Sequence, residues 1–96
     1  SNGSVVKDTV TKPNAEGIYR AKVKVNGVPK RAVSTFFPKD WTAQQVIDAI
    51  NEAYKYRSIV PGKKYLYYGK TSSGIKLQMI LDKDNKIITV YPVIID

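Results

Sequence analysis

The strict alternation of apolar and basic residues over positions 19–25 constrains the fold of this chain more than any other feature. Side chains alternate between the two faces of a β-strand, so this segment predicts a strand with one apolar and one cationic face. The apolar face holds Tyr19, Ala21, Val23 and Val25, and the cationic face holds Arg20, Lys22 and Lys24. Asn26 and Gly27 follow directly and favour a type I′ turn, which predicts a β-hairpin.

A two-residue turn also predicts the register of this hairpin. Counting outward from the turn places Lys30 opposite Val23. The same register places Ser34 opposite Tyr19, so both polar residues share the apolar face. An ammonium group and a hydroxyl are stable on an apolar face only where the edge of the sheet is exposed to solvent or where the face lines a cleft. Two interpretations stay open: Lys30 extends into solvent at the hairpin end, or it lines a polar site.

One amphipathic helix is predicted over residues 41–57, WTAQQVIDAINEAYKYR. Thr42 and Gln45 have the spacing of a capping box, and Trp41 and Val46 occupy the positions of a hydrophobic staple. An apolar stripe follows the helical period, so we expect this side to pack on a sheet. The stripe consists of Ala43, Val46, Ile47, Ile50 and Tyr54.

Residues 64–94 predict three further strands, over 64–68, 75–82 and 86–94, with a turn at Asp84 and Asn85. Placing Lys83 opposite Lys86 gives the last two strands one fully apolar face, which holds Ile75, Leu77, Met79, Leu81, Ile88, Val90, Pro92 and Ile94. The other face holds Lys76, Gln78, Ile80, Thr89, Tyr91 and Val93. In this register Gln78 lies across from Tyr91 on a face turned to solvent or to a cleft.

The order ββαβββ predicts an α+β fold, a twisted antiparallel sheet of about five strands with one main α-helix packed on it. The polar segment 1–16 is interpreted as a flexible lead-in or a short extra strand. Residues 17–96 are interpreted as the folded domain, since a chain of this length forms one modest core.

Composition narrows the possible functions. Sixteen Lys and Arg against eight Asp and Glu give a net charge of +8, which favours RNA or an acidic protein as partner. The chain has no cysteine and no histidine, which excludes a thiolate nucleophile and an imidazole base of its own. The scattered carboxylates match no metal-binding pattern, so neither a metal nor another cofactor is expected. No apolar stretch reaches the ~18 residues of a membrane span.

Two groups of polar side chains could hold a phosphodiester. One is Lys30 with Ser34, and the other is Thr89 and Tyr91 with Gln78 and Lys76. An ammonium group can stabilise charge on the phosphate oxygens, and a tyrosine can stack on a base or donate a hydrogen bond. Thr and Tyr are also ordinary strand residues, so the residues alone leave RNA binding and protein binding equally open.

Three segments carry a family resemblance: GIYRAKVKVNG, KRAVSTFFPKDWTAQQVIDAINEAY and GKTSSGIKLQMILDKDNKIITVYP. They resemble the C-terminal half of bacterial EndoU-type ribonuclease domains, of the barnase/EndoU/colicin E5/RelE-like group, which occur as toxin modules in contact-dependent growth inhibition. KRAVS, residues 30–34, resembles the family's Lys-x-x-x-Ser pattern, and TVYP, residues 89–92, resembles its Thr-x-Tyr-Pro pattern.

The resemblance implies a role for four residues. Lys30 would be the catalytic lysine that stabilises the transition state, Ser34 would help to recognise the base, and Thr89 and Tyr91 would position the substrate. The predicted catalytic set is therefore Lys30, Thr89 and Tyr91. The predicted substrate-binding set is Ser34, Lys76, Gln78, Arg20 and Arg31.

The sequence departs from this family at the proton carriers. EndoU enzymes use two histidines as general base and acid, upstream of the matched region, and this chain has none. Either the chain is a fragment that lacks a histidine-bearing part, or it is an enzyme that works without histidine. In the second case Lys30, near Arg31 or Arg20, could act as base, since desolvation and nearby positive charge lower the pKa of a lysine.

The predicted function is an endoribonuclease toxin domain that cleaves tRNA or other structured RNA by metal-independent transphosphorylation to a 2′,3′-cyclic phosphate. The alternative is a non-catalytic basic module or an inactive toxin fragment that docks RNA or an acidic immunity protein. Under both hypotheses the expected partners are RNA and a cognate acidic immunity protein, with the toxin monomeric apart from that heterodimer. The expected setting is the C-terminal toxin part of a secreted or cell-surface effector, acting in the cytoplasm of a target cell.

Overall fold

The computed structural model of the protein describes residues 3–94, apart from the side chains of residues 29–32. In the described residues the strands are β1 Gly3–Val5, β2 Tyr19–Val25, β3 Val28–Phe36, β4 Ser58–Ile59, β5 Leu66–Lys70, β6 Lys76–Leu81 and β7 Ile87–Val93, and the helix is α1 Ala43–Lys55. A short 3-10 turn spans Lys7–Thr9. No helix within residues 3–94 is long and apolar enough to cross a membrane.

The strands form two antiparallel sheets. The N-terminal sheet has the order β1-β2-β3, and the C-terminal sheet has the order β4-β5-β6-β7. This arrangement with one helix confirms the α+β class. β1 is the short extra strand that was one of the two interpretations of residues 1–16, and β4 was not predicted. These strands have three and two residues, which is too short for an alternation of side chains to be visible in the sequence. The division of the chain at residue 17 stays a prediction.

The turn between β2 and β3 agrees with the sequence analysis. Asn26 and Gly27 have φ angles of 53° and 77°, which are the positive values that a type I′ turn requires at both central residues. Val25 pairs with Val28 directly beside the turn. Tyr19 and Ala21 are buried, and Lys22 is exposed, which confirms that β2 has one apolar and one cationic face.

Beyond the turn, the predicted register of this hairpin is wrong. Ser34 pairs with Ala21 rather than with Tyr19. Between the pairs Lys24–Pro29 and Lys22–Val33, residues 30–32 of β3 face a single residue of β2, so β3 carries a bulge with two extra residues. Proline has no N–H to donate to the ladder, and a bulge beside it is an expected consequence. Lys30 therefore belongs to a bulge instead of a regular cross-strand pair.

The capping box of α1 is confirmed. The backbone N–H of Gln45 donates to Oγ1 of Thr42 at 3.2 Å, and the backbone N–H of Thr42 donates to Oε1 of Gln45 at 2.7 Å. Ile50 and Tyr54 pack against the core as predicted. The predictions for Ala43 and Ile47 are wrong, because both residues are exposed, Ile47 to 48%.

Ala49 and Ala53 are the buried residues of α1, and the reason is the short distance between the helix and β5. Gly69 of β5 lies against the backbone of Ala53, where a Cβ atom on Gly69 would be 2.0 Å from the Ala53 carbonyl oxygen. The small residues thus form the contact, and the larger apolar side chains of α1 lie beside it. The buried core under this contact includes Ile18, Ile75, Leu77, Met79 and Leu81.

The pairing of β6 with β7 is confirmed at its centre, where Gln78 lies opposite Tyr91 and Met79 opposite Val90. The register shifts by one residue near the turn, and Ile88 is the extra residue of this bulge. Its side chain is 66% exposed, so the prediction that Ile88 belongs to the apolar face is wrong. The opposite face of β6 and β7, which carries Gln78 and Tyr91, will be called the outer face of the C-terminal sheet.

Candidate functional site

A cleft of about 540 Å³ lies where the edge of the N-terminal sheet meets the edge of the C-terminal sheet. Its walls come from β2, β3, β7 and the residue after β7, and we call it the inter-sheet cleft. The residues that line it are Arg20, Val33, Ser34, Thr35, Tyr91, Val93 and Ile94. Three residues of the predicted site set, Arg20, Ser34 and Tyr91, are therefore brought together although they are far apart in the sequence.

A side-chain hydrogen bond joins the two walls of this cleft. The hydroxyl of Thr35 on β3 donates to the backbone carbonyl of Pro92 on β7. Thr35 is itself paired with Arg20 across the hairpin, so this one bond ties β2, β3 and β7 together at the cleft. Thr35 was not among the predicted site residues, and nothing in the local pattern marks it, because its partner is 57 residues away.

Arg20 supplies the positive charge among the described lining residues. Its backbone is held on both sides: its N–H donates to Oγ1 of Thr11 at 2.8 Å, and its carbonyl accepts from the N–H of Thr11 at 2.8 Å. The guanidinium belongs to a half-buried side chain. No acidic side chain is among the described residues that line the cleft, so this guanidinium can bind an incoming anion in a bidentate manner.

Tyr91 is one of the lining residues of the same cleft, and its phenol hydroxyl has a partner on β6. Nε2 of Gln78 on β6 donates a hydrogen bond to this hydroxyl oxygen. Because the oxygen then acts as acceptor toward Gln78, the phenol proton remains able to be donated to a further group. Gln78 thus orients the phenol ring and leaves a donor for a phosphate or base oxygen.

The other predicted residues lie beside the inter-sheet cleft or outside the described side chains. Thr89 is exposed on β7, opposite Ile80 and two positions before Tyr91, and it is not among the lining residues. Lys76 lies further along β6, with its Nζ atom 3.8 Å from the ring centroid of Tyr68. The side chains of Lys30 and Arg31 are outside the described part, and their backbone belongs to the bulge of β3.

The cleft combines a cation, hydroxyl groups and apolar walls. The apolar walls are formed by Val33, Val93 and Ile94. A ligand with a phosphate and a flat, partly apolar ring would use all three features, because the guanidinium and hydroxyls bind the phosphate while the walls cover the ring. Fold and cleft together define a small basic α+β domain with a site suited to a nucleotide group.

Comparison with known proteins identifies the family. The model of the Bacterial EndoU nuclease family matches residues 1–94, so the chain belongs to this family, as the two short signatures predicted. A protein of Bacillus cereus (strain ATCC 14579) named "Toxin" is 45% identical over 93 residues, covering 94% of this chain and 17% of that protein. The chain thus spans less than a fifth of that relative's length. No solved structure matches the chain.

Proposed function

We propose that this domain is an endoribonuclease toxin domain that cleaves tRNA or another structured RNA by metal-independent transphosphorylation. The observation that carries the proposal is the convergence of Arg20, Ser34 and Tyr91 in one cleft of a chain that belongs to the EndoU nuclease family. The net charge of +8 supports a polyanionic substrate, since positive potential raises both the affinity and the association rate for RNA.

The RNA itself supplies the nucleophile and the leaving group of the proposed reaction. The protein has to supply groups that transfer protons and groups that stabilise negative charge. The ribose 2′-oxygen attacks the adjacent phosphorus and loses its proton, the bond from phosphorus to the 5′-oxygen breaks, and that oxygen gains a proton. The RNA fragment that carries the attacking 2′-oxygen therefore ends in a 2′,3′-cyclic phosphate. Negative charge rises on the non-bridging oxygens during attack, and Arg20, Lys30 and the hydroxyl of Tyr91 are proposed to stabilise it.

Ser34, Gln78 and Thr89 are proposed to orient the RNA. Ser34 lies in the wall of the inter-sheet cleft, where its hydroxyl can bind a base edge. Gln78 acts through Tyr91, whose hydroxyl it holds. Thr89 is exposed on the same face as Tyr91 and can reach a phosphate beside the cleft.

A second candidate function is a non-catalytic binding module that docks RNA or an acidic immunity protein. The observation that favours it is the absence of histidine from all 96 residues. Lys30 is the candidate proton acceptor within this sequence. Without an effective proton carrier the same cleft would hold RNA but leave it uncut.

The toxin context is part of the proposal. The relative named "Toxin" supports a toxin role. We further propose that the domain is the toxin part of a secreted or cell-surface effector of the contact-dependent growth inhibition type, acting in the cytoplasm of a target cell. A cognate acidic protein that covers the basic cleft would keep such a domain inactive before delivery, because it would occupy the site that binds phosphate.

Incubation of the protein with total tRNA in the presence of EDTA tests the leading proposal. We expect discrete fragments that end in a 2′,3′-cyclic phosphate, detected by the resistance of these ends to a phosphatase until mild acid opens the ring. Binding of intact tRNA that weakens steeply with salt, without any fragments, would support the binding module instead. Cleavage that requires a divalent cation would contradict the proposed mechanism.

A further inference from the structure

A second cleft, of about 450 Å³, lies on the C-terminal sheet beside the end of α1. Its described lining consists of Tyr56, Ser58, Tyr68, Gly69, Lys70 and Lys76. We call it the aromatic cleft, since two of its six lining residues are tyrosines and two are lysines. The function proposed above gives this cleft no role, apart from the sequence-based assignment of Lys76 to substrate binding.

The aromatic cleft and the inter-sheet cleft are connected along the outer face. One cross-strand row runs from Ser58 through Tyr68 and Gln78 to Tyr91. Neighbouring strands are about 4.8 Å apart, so Tyr68 and Tyr91 are separated by about 10 Å, two strand spacings. Gln78 lies between them and donates its hydrogen bond to the Tyr91 hydroxyl. A ligand that extends from the inter-sheet cleft across β6 would therefore reach the aromatic cleft.

The chemistry of the aromatic cleft resembles that of surfaces that bind single-stranded nucleic acid. Tyr56 is 62% exposed, and its ring carries the ammonium group of Lys55 at 5.4 Å from the ring centroid. Tyr68 carries Nζ of Lys76 at 3.8 Å, and Lys70 pairs with Lys76 across the strands. Exposed rings stack on bases irrespective of sequence, while nearby ammonium groups bind the phosphates.

The charge of this surface favours an anionic ligand, and its tyrosines favour RNA among anionic ligands. The described lining of the aromatic cleft contains lysines and no acidic residue. Tyr56 is 62% exposed, so its ring is accessible to a base. The two lysines, the half-buried ring of Tyr68 and the exposed ring of Tyr56 line one cleft and complement a phosphate backbone with unpaired bases.

We propose that the aromatic cleft is a subsite for unpaired nucleotides that flank the phosphodiester held in the inter-sheet cleft, with a base stacked on Tyr68 or Tyr56 and a phosphate bound by Lys70 and Lys76. This inference rests on the proposed function, because it continues the same RNA strand. It also predicts that the protein prefers a single-stranded region, such as a loop, over a continuous duplex.

The test measures binding separately from cleavage. The probe is a fluorescently labelled oligomer of about 10 2′-deoxyuridines, which cannot be cut because it lacks the attacking hydroxyl. We expect Tyr68→Ala and Lys76→Ala each to weaken binding about tenfold, by loss of stacking and of a phosphate contact. Lys76→Ala should also reduce the slope of log affinity against log salt by about 0.7. Tyr56→Ala is a second aromatic variant at an exposed position.

Tyr65→Ala is the matched control, since Tyr65 is 51% exposed and lies outside the lining of both clefts. We expect it to bind the oligomer as the wild type does. Unchanged binding by the Tyr68, Tyr56 and Lys76 variants would contradict the proposed subsite and would leave an acidic protein as the partner of this surface. A duplex that competes for binding as well as the single strand does would also contradict it. If the wild type binds the oligomer but does not cleave tRNA, only the proposed catalysis is contradicted, and the subsite is not.

Discussion

Lys30→Ala is expected to cut tRNA about 10²–10³-fold more slowly than the wild type, which is the usual cost of removing one group that stabilises charge in a transition state. The resemblance of KRAVS to the family's Lys-x-x-x-Ser pattern assigns this role to Lys30. The structure places the backbone of residue 30 in the bulge of β3, four positions before Ser34, and bulges commonly redirect a side chain near an active site. Initial rates of fragment formation with excess enzyme measure the effect.

Lys83→Ala provides the matched control for Lys30→Ala. Both variants reduce the net charge by one, but Lys83 is exposed in the turn between β6 and β7. A general loss of electrostatic attraction would lower both rates alike, whereas the proposed role lowers only the rate of the Lys30 variant. Equal rates for Lys30→Ala and the wild type would remove Lys30 from the mechanism, and the cleft would then be explained by binding alone.

Gly69→Ala is expected to destabilise the protein by about 3 kcal/mol or more. A methyl group at this position would lie 2.0 Å from the carbonyl oxygen of Ala53, and that oxygen belongs to the helix backbone. A flexible side chain could move away, but here α1 as a whole must shift from β5, which opens the core. Urea denaturation followed by circular dichroism measures the change in the free energy of unfolding.

Gly3→Ala is the control for this effect. Its added Cβ atom would lie 3.4 Å from Cγ1 of Val23, an ordinary contact on the edge strand β1. We expect a change within about 0.5 kcal/mol, which is typical of surface substitutions. If Gly69→Ala were as stable as Gly3→Ala, the close approach of α1 to β5 would be wrong.

The predictable parts of this fold are those that neighbouring residues determine. Asn26 and Gly27 fix the first turn through their positive φ angles, and Thr42 with Gln45 fixes the start of α1. The alternation in β6 and β7 is sufficient to place Gln78 opposite Tyr91, because a strand has a period of two residues.

The features that escaped prediction are irregularities within the strands and contacts between distant segments. The bulges at residues 30–32 and at Ile88 shift the register without a clear mark in the hydrophobic pattern. The buried side of α1 follows from the contact of Ala53 with Gly69. This contact requires small residues, whereas the helical pattern of apolar residues predicted that large side chains would be buried. For the candidate site, sequence selected Arg20, Ser34 and Tyr91 among others, but only the meeting of β3 with β7 shows which of them share a cleft.

A double-mutant cycle between Arg20 and Tyr91 tests most directly whether these side chains act on one bound phosphate. The measurement is the affinity of the uncleavable 2′-deoxy oligomer for the wild type, Arg20→Gln, Tyr91→Phe and the double variant. Two groups that share a ligand should show a coupling free energy of about 1 kcal/mol or more. If the two losses add to within about 0.4 kcal/mol, the residues act independently and the inter-sheet cleft is not a common phosphate site.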